Sequence, residues 1–468
     1  GRGHILPGYS HYPKVRMRLY NTLNRVVEEF VVEDNTVNMY VCGITPYAPS
    51  HLGHAMCAIV FDVIRRYLEY KGYKVHFIQN FTDIDDKMIT AANDEGIEVS
   101  ELAERNIQAY LSELRQLNVL QASDYPRATE EISSIVAVIS DLIEKEYAYA
   151  ISGDVYFRVK KDEDYGKLSR RNVDELLAGA RLAIEETKEN PADFVLWKTQ
   201  KPGEPAWDSP WGPGRPGWHI ECTAMSLTYL NNRVDIHGGG QDLVFPHHEN
   251  EIAQSESYTG IEPFARYWMH NGTLGYGEEK MSKSLGNVFS IGEALEEFSS
   301  DALRMFFLSS HYRTPLVFID ESVKGQQRAI ERLKSALTSP SGDGAMLETA
   351  GYRARFESAM DEDFNTPIAL SVIFDLARDI NRESTDGLDV EAAQKLLCDL
   401  CKILGLTLKS DDSGLDGNLA PFIDLLLDIR EGLRKEKQFE LSDRIRDRLD
   451  DLGVSIEDTV TGARWKLD

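Results

Sequence analysis

Between Val37 and Phe81 a short apolar run, VNMYVC, is followed by HLGHAMCAIVFDVIRRYLEYKGY and then by a second β-prone run, Lys74 to Phe81. Met56, Ile59, Val60, Val63, Ile64, Tyr67 and Leu68 recur at helical spacing, and Gly72 stands where a helix stop belongs. Strand, helix and strand within about 45 residues predict a βαβ unit. Such a unit demands parallel strands, because the helical crossover returns the chain to its starting edge. Ligand sites in parallel sheets gather at the carboxyl ends of the strands, and the first strand is expected to end at Cys42, just before Gly43.

The α/β pattern is interrupted and then resumes. From 121 to 216 the sequence offers a helix (Glu130 to Glu146), a hairpin-like YAYAISGDVYFRV and a Pro-, Gly- and Trp-rich stretch, which reads as an insertion. The sheet pattern returns near Arg233 with VDIHGGG, continues into a helix starting near His247, and reaches a glycine-punctuated loop at Gly272 to Asn287. After Ile291 everything reads helical, divided by TSPSGDGA and by LKSDDSGLDGN, which have linker composition. The expected division is therefore 17–120 with 217–300 as a sheet domain, 121–216 as its insertion, 301–408 as a helical bundle, 409–418 as a linker and 419–468 as a small terminal module. Residues 1–16 lack an initiator Met and read as an extension or an expression remnant.

With 468 residues and 42% apolar content the chain can bury more than one core. No run of 18 or more apolar residues occurs, and the start lacks an apolar leader core, so a cytoplasmic protein without membrane attachment is expected. Five scattered cysteines point to thiols or metal ligands rather than a disulfide framework. The net charge of −26 argues against a nucleic-acid partner unless a basic patch overturns it locally.

Three stretches carry chemistry. FPHHENE, Phe245 to Glu251, places His247 and Glu251 four apart, on one face if the helix begins near Pro246. A solvated intrahelical pair is the bland reading. Cys222 in GWHIECTAM and Cys42 at the strand end make a Cys, Cys, His, Glu set for tetrahedral zinc, with His248 and Glu249 as rival ligands. No second His follows four residues after either His, unlike the HExxH pattern of zinc proteases. HLGH, His51 to His54, sits at a helix amino terminus, where free N–H groups and the dipole attract phosphate; Gly53 would let a flat base approach. EEKMSKSLGN, Glu278 to Asn287, sets Lys280 and Lys283 in a glycine-flanked loop suited to polyphosphate.

HLGH and KMSKS in this order, on an α/β domain with an insertion between them, resemble the two nucleotide-binding motifs of the class I aminoacyl-tRNA synthetases. YVCGITPY, NFTDIDDK, GRPGWHIECTAM, DIHGGGQDLVFPHHENEIAQS and DALR (Asp301 to Arg304) are similar to the cysteinyl-tRNA synthetase family, over about Tyr20 to Lys466. Leu52 replaces the isoleucine of the family's HIGH motif, a near-isosteric change. The resemblance implies a Rossmann-like, doubly wound parallel-sheet catalytic domain with a connective insertion, followed by an all-α bundle and an anticodon-binding module. It also implies a Zn2+ ion on Cys42, Cys222, His247 and Glu251, and Gly43, Thr82 and Trp218 around bound L-cysteine. His51, Gly53, His54, Lys280 and Lys283 would serve ATP, accompanied by Mg2+, with the two histidines and two lysines carrying the catalysis. Zinc favours a thiolate over a hydroxyl, so serine and alanine would be rejected without an editing site. The product would be cysteinyl-tRNA(Cys), made through cysteinyl adenylate by a monomer.

Arg430 to Arg448 holds seven Lys or Arg against five Asp or Glu, a local net of +2, which alone reads as a solvated helix face. The resemblance assigns anticodon contacts to Arg434, Phe439, Asp443 and Asp458, with Phe439 where the family commonly has Trp. CDLC, Cys398 to Cys401, has helical apolar spacing around it and reads as core, as does Cys57. Two other readings are a cysteine:amino-sugar ligase, which would lack the terminal module, and a zinc hydrolase, which needs an open metal position.

Overall fold

A computed structural model describes residues 17–171, 188–277, 289–408 and, with short gaps, 423–467. The chain separates into two compact units, Gly1–Thr407 and Leu408–Asp468.

The first unit opens with an antiparallel hairpin, β1 (Arg18–Asn21) and β2 (Val26–Glu29), which the sequence reading left unassigned. The βαβ unit follows as β3 (Thr36–Ile44), α1 (Leu52–Tyr70) and β4 (Lys74–Phe81), with β3 and β4 parallel. Helix α1 ends because Gly72 takes φ +94°, a left-handed conformation that costs glycine little. Helices α2 (Asp86–Glu95) and α3 (Val99–Gln116) lead into the insertion. There α4 (Ile132–Glu144) packs near a four-stranded antiparallel sheet of β5 (Ala148–Ile151), β6 (Asp154–Phe157), β7 (Phe194–Thr199) and β8 (Gly214–Pro216). The hairpin was legible, but β7 and β8 were not, because their short runs are set in Pro- and Gly-rich sequence. Ile135, Ile139, Phe157, Leu196 and Trp197 give this sheet its own core.

Helix α5 (Trp218–Leu230) returns the chain to the main sheet, which is completed by β9 (Val234–Gly240), α6 (Glu249–Thr259) and β10 (Ala265–Asn271). The strand order is β10-β9-β3-β4, all parallel, so Cys42, Gly240, Asn271 and Phe81 lie at one edge. Beneath that edge Tyr40, Ile78, Met225 and Trp268 share one buried cluster. Then come β11 (Leu274–Tyr276), α7 (Ile291–Glu297), α8 (Ser300–Leu308), β12 (Leu316–Phe318), α9 (Asp320–Thr338), α10 (Ala350–Asp361), α11 (Thr366–Thr385) and α12 (Glu391–Ile403). The all-helical expectation after Ile291 fails at β12, which pairs in parallel with β11; a three-residue strand is too short for periodicity to register.

Bundle and sheet domain are joined by a buried ion pair. Arg304, in α8, reaches Asp62 of α1 at 2.5 Å, and both side chains are inaccessible. Arg304 also donates to the carbonyls of Leu404 at 3.1 Å and Leu117 at 2.9 Å, while Asp62 accepts from the backbone of Leu120 at 2.9 Å and from Arg66 at 2.8 Å. Cys401 is buried in α12, and among the described residues no metal-ligand group includes it.

The second unit holds helical residues from 423 to 435, then α13 (Phe439–Asp450) and an antiparallel hairpin, β13 (Val454–Thr459) and β14 (Gly462–Leu467). This hairpin is a second departure from the helical expectation. Ile423, Leu427, Leu449 and Val454 form its small core. No helix among the described residues is long and apolar enough to cross a membrane.

Removing the guanidinium takes from Asp62 its buried counter-charge and leaves several carbonyls without a donor, with Arg66 and the Leu120 N–H compensating in part. Arg304→Leu is therefore expected to cost stability near the lower end of about 3–5 kcal/mol, read as a lower urea midpoint for the first unit. An unchanged midpoint would contradict the role assigned to the pair.

Candidate metal and substrate site

Cys42, Cys222, His247, His248 and Glu251 meet at the carboxyl edge of the sheet, each at most 7% exposed. The expectation that a helix starts near Pro246 needs correction. Val244–His248 forms a π-type turn in which Phe245 is extended (φ −141°, ψ 132°), and α6 begins at Glu249. The turn nevertheless carries His247 Nε2 to 3.0 Å from Glu251 Oε1. Cys42 Sγ lies 3.8 Å from Cys222 Sγ and 3.4 Å from Glu251 Oε1. His248 Nε2 lies 3.3 Å from Cys42 Sγ, and one ligand atom from each of Cys42, His247, His248 and Glu251 falls within 4.8 Å of the others. His248 thus stays a rival ligand, and Cys222 is not part of that closest group of four. Glu249 is turned away: its carboxylate accepts from the backbone of Gly166, Leu168 and Ser169 at 3.1, 3.2 and 2.7 Å, fastening the insertion to α6.

Three histidines that the sequence reading passed over orient these donors. His237 of β9 contacts Glu251 Oε2 at 2.8 Å, His219 Nδ1 is 2.9 Å from His247 Nδ1, and His270 Nε2 is 2.7 Å from His248 Nδ1. Their signal lay in WHIEC, DIHGGG and WMHN, where a polar ring interrupts an apolar run. Such partners fix imidazole orientation around metal ligands. Trp218, at the start of α5, stacks on His247 with centroids 4.4 Å apart and is 41% exposed.

Electrostatics sort the cluster into anions and cations. Burial disfavours ionised Glu251, yet His237 and His247 hold it well below the usual carboxylate range. Burial also opposes a charged His247, but Glu251 and Cys222 push it up to about 10. The Cys42 thiol, raised by burial, donates to Cys222 and so brings Cys222 down to about 6. Burial keeps His219, His248 and His270 below the ordinary histidine value. A thiolate and a carboxylate already face one proton-bearing imidazole, and a divalent cation can take the place of that proton.

Gly43 and Thr82 border the site at the ends of β3 and β4. Gly43 N–H donates to Asn80 Oδ1 at 2.9 Å, and an added Cβ would lie 1.7 Å from the Asn80 carbonyl oxygen, so no side chain fits between these strand ends. Thr82 is buried, with its N–H bonded to the Ile44 carbonyl at 3.1 Å. At the head of α1, His51 is the N-cap and its Nδ1 accepts from Gly53 N at 3.1 Å; the His51 and His54 rings stack with centroids 3.7 Å apart. The His51 ring lies where a Gly53 Cβ would stand, 2.9 Å from its nearest atoms, so Gly53 here makes room for that imidazole. Lys280 and Lys283 lie outside the described residues. In the second unit Arg434, Phe439 and Asp443 are exposed and Asp458 lies in β13.

Residues 28–328 match the model of the tRNA synthetase class I (C) catalytic domain, and 355–409 match the DALR domain. A protein named cysteine–tRNA ligase from Dehalococcoides mccartyi (strain ATCC BAA-2100 / JCM 16839 / KCTC 5957 / BAV1) is 54% identical over 461 residues, spanning 96% of this chain and 100% of the relative. The chain belongs to the cysteine–tRNA ligase family. Its fold is that of the class I synthetases, and it is an enzyme of that class. A cysteine–tRNA ligase of Carboxydothermus hydrogenoformans (strain ATCC BAA-161 / DSM 6008 / Z-2901) is 47% identical over 96% of this chain and 100% of its own length. Mycobacterium tuberculosis methionyl-tRNA synthetase in complex with methionyl-adenylate shares the fold, with a TM-score of 0.55 at 17% identity over 79% of this chain and 89% of that structure. Matches that run through the terminal module leave the amino-sugar ligase and zinc hydrolase readings without support.

The low Cys222 value has a measurable sign. An exposed thiol titrates near about 8.5, so the folded state releases this proton first. The resulting stability is fully present above that value and is lost as the pH falls through about 6. In metal-free protein, the ultraviolet thiolate absorbance lost in Cys222→Ser should persist down to about pH 6. Absorbance that develops only in the ordinary thiol range would contradict the assignment.

Proposed function

We propose that Cys42, Cys222, His247 and Glu251 hold a zinc ion that selects L-cysteine, and that the protein joins cysteine to tRNA(Cys) with ATP and Mg2+. The reading is carried by one observation: two thiols, an imidazole and a carboxylate, all buried, converge at the carboxyl edge of the sheet. The donor set fits zinc, which takes S, N and O ligands at tetrahedral geometry. When bound, zinc supplies a soft Lewis acid that prefers the substrate's sulfur to an oxygen of the same shape.

The remaining steps belong to the chain. Gly43 leaves the strand ends bare enough for the amino acid, Thr82 offers a hydroxyl, and Trp218 forms a wall that excludes larger side chains. The positive dipole end of α1, with His51 and His54 beside it, orients the phosphates so that the cysteine carboxylate can attack the α-phosphorus and expel pyrophosphate. Lys280 and Lys283 would neutralise charge building on the polyphosphate. The 3′-terminal ribose hydroxyl of the tRNA then takes the acyl group from cysteinyl adenylate. Arg434, Phe439, Asp443 and Asp458 would read the anticodon, with Phe439, 56% exposed, available to stack on a base.

Cysteine-dependent exchange of labelled pyrophosphate into ATP, followed by tRNA charging, tests the reading; serine and zinc-depleted protein should give no exchange. Cys222→Ser is expected to weaken cysteine binding far more than ATP binding, and equal losses would count against the zinc assignment. Loss of a stacked base is worth about 1–3 kcal/mol, so Phe439→Ala should raise the KM for tRNA about tenfold with exchange untouched. An unaltered KM would remove Phe439 from the anticodon site.

A further inference from the structure

Cys42 lies near the end of β3 and Cys222 in the second turn of α5, 180 residues apart in sequence, yet the fold brings their Sγ atoms to 3.8 Å. Both thiols are free and buried, at 7% and 1% exposure. A disulfide needs a sulfur separation of about 2.05 Å. The gap left to close is about 1.8 Å, which small rotations about the two Cα–Cβ bonds can supply. The remaining thiols belong to other elements, Cys57 to α1 and Cys398 and Cys401 to α12.

Two sulfurs in contact can share the two electrons that a peroxide takes. One thiolate attacks a peroxide oxygen, the O–O bond breaks, and a sulfenic acid forms as the first water leaves. The second thiolate attacks that sulfur, forms the S–S bond and expels the oxygen as a second water. Two thiols and one hydrogen peroxide thus become a disulfide and two waters, each sulfur giving up one electron. A dithiol reductant reverses the change by thiol–disulfide exchange. Access follows from the substrate: L-cysteine must reach an ion held by these sulfurs, and hydrogen peroxide is smaller than cysteine.

We propose that Cys42 and Cys222 are a reversible oxidation site, closing to a disulfide under peroxide, so that the sulfurs that help select cysteine also sense oxidants. The proposal deepens the zinc reading and rests on it. As a disulfide the pair offers no thiolate to a metal, and His247 and Glu251 supply only two of the four ligands of a tetrahedral site. Oxidation therefore releases the ion, and activation of cysteine stops while peroxide is abundant. Reduction with zinc present restores both.

To test it, zinc-loaded protein is treated with hydrogen peroxide beside a chromogenic zinc chelator, then alkylated, digested without reduction and mapped by mass spectrometry. Relative to untreated protein, about one zinc should be released for every two thiols lost, with a peptide linked through Cys42 and Cys222. Cysteine-dependent pyrophosphate exchange should be lost with the metal and return on adding dithiothreitol and zinc. Cys401→Ser should respond as the wild type does, because its thiol takes no part. Sulfinic or sulfonic acid at Cys42 or Cys222 without the linked peptide would overturn the proposal. So would a linkage to Cys57, Cys398 or Cys401, or zinc retained with both thiols intact. Protein that carries no zinc before treatment would instead remove the zinc reading, and the linked peptide, sought in the same metal-free chain, would still decide the pair.

Discussion

Glu251 is a carboxylate with no access to water, and an ion in that position survives only if its surroundings replace the lost hydration. His237 and His247 supply the replacement at 2.8 and 3.0 Å, and Cys42 approaches at 3.4 Å. These partners come from β9, the turn before α6, and β3, so one buried charge draws three elements to a point. The parallel sheet makes this possible, because its strands deliver their last residues to the same edge and its helices begin there. His51, His54, Gly43, Thr82 and Trp218 occupy that edge for the same topological reason.

Other polar contacts keep the surrounding parts in place. Glu249 fastens the insertion through three backbone N–H groups, and Arg304 ties α1 to the helical bundle through Asp62. The helix that presents HLGH at one end is therefore anchored in its middle by the residue that closes the DALR motif. Positioning catalysis depends on such anchoring, since small displacements at the reacting groups are costly in rate.

Much of the sheet was legible because periodicity and turn chemistry act locally. The strand Lys74–Phe81 and the helix after HLGH follow from spacing and a single glycine. The buried donor cluster was legible where unusual residues gather, as in FPHHENE. The π-type turn was not, because nothing in the spacing of His247 and Glu251 distinguishes it from a helical turn. The short strands β7, β8, β11 and β12 were missed since their identity comes from tertiary pairing rather than from pattern. His219, His237 and His270 escaped notice for a related reason: each supporting histidine stands alone in sequence and gains its role only through a partner far along the chain.

The central claim is that a thiophilic ion in this cluster reads the amino acid through sulfur. X-ray absorption at the zinc edge, on protein purified with its metal, tests it most directly. The account predicts two sulfur neighbours from Cys42 and Cys222, a third on addition of L-cysteine, and no change with L-serine. A sulfur count that stays the same with cysteine, or protein that retains no zinc at all, would contradict it.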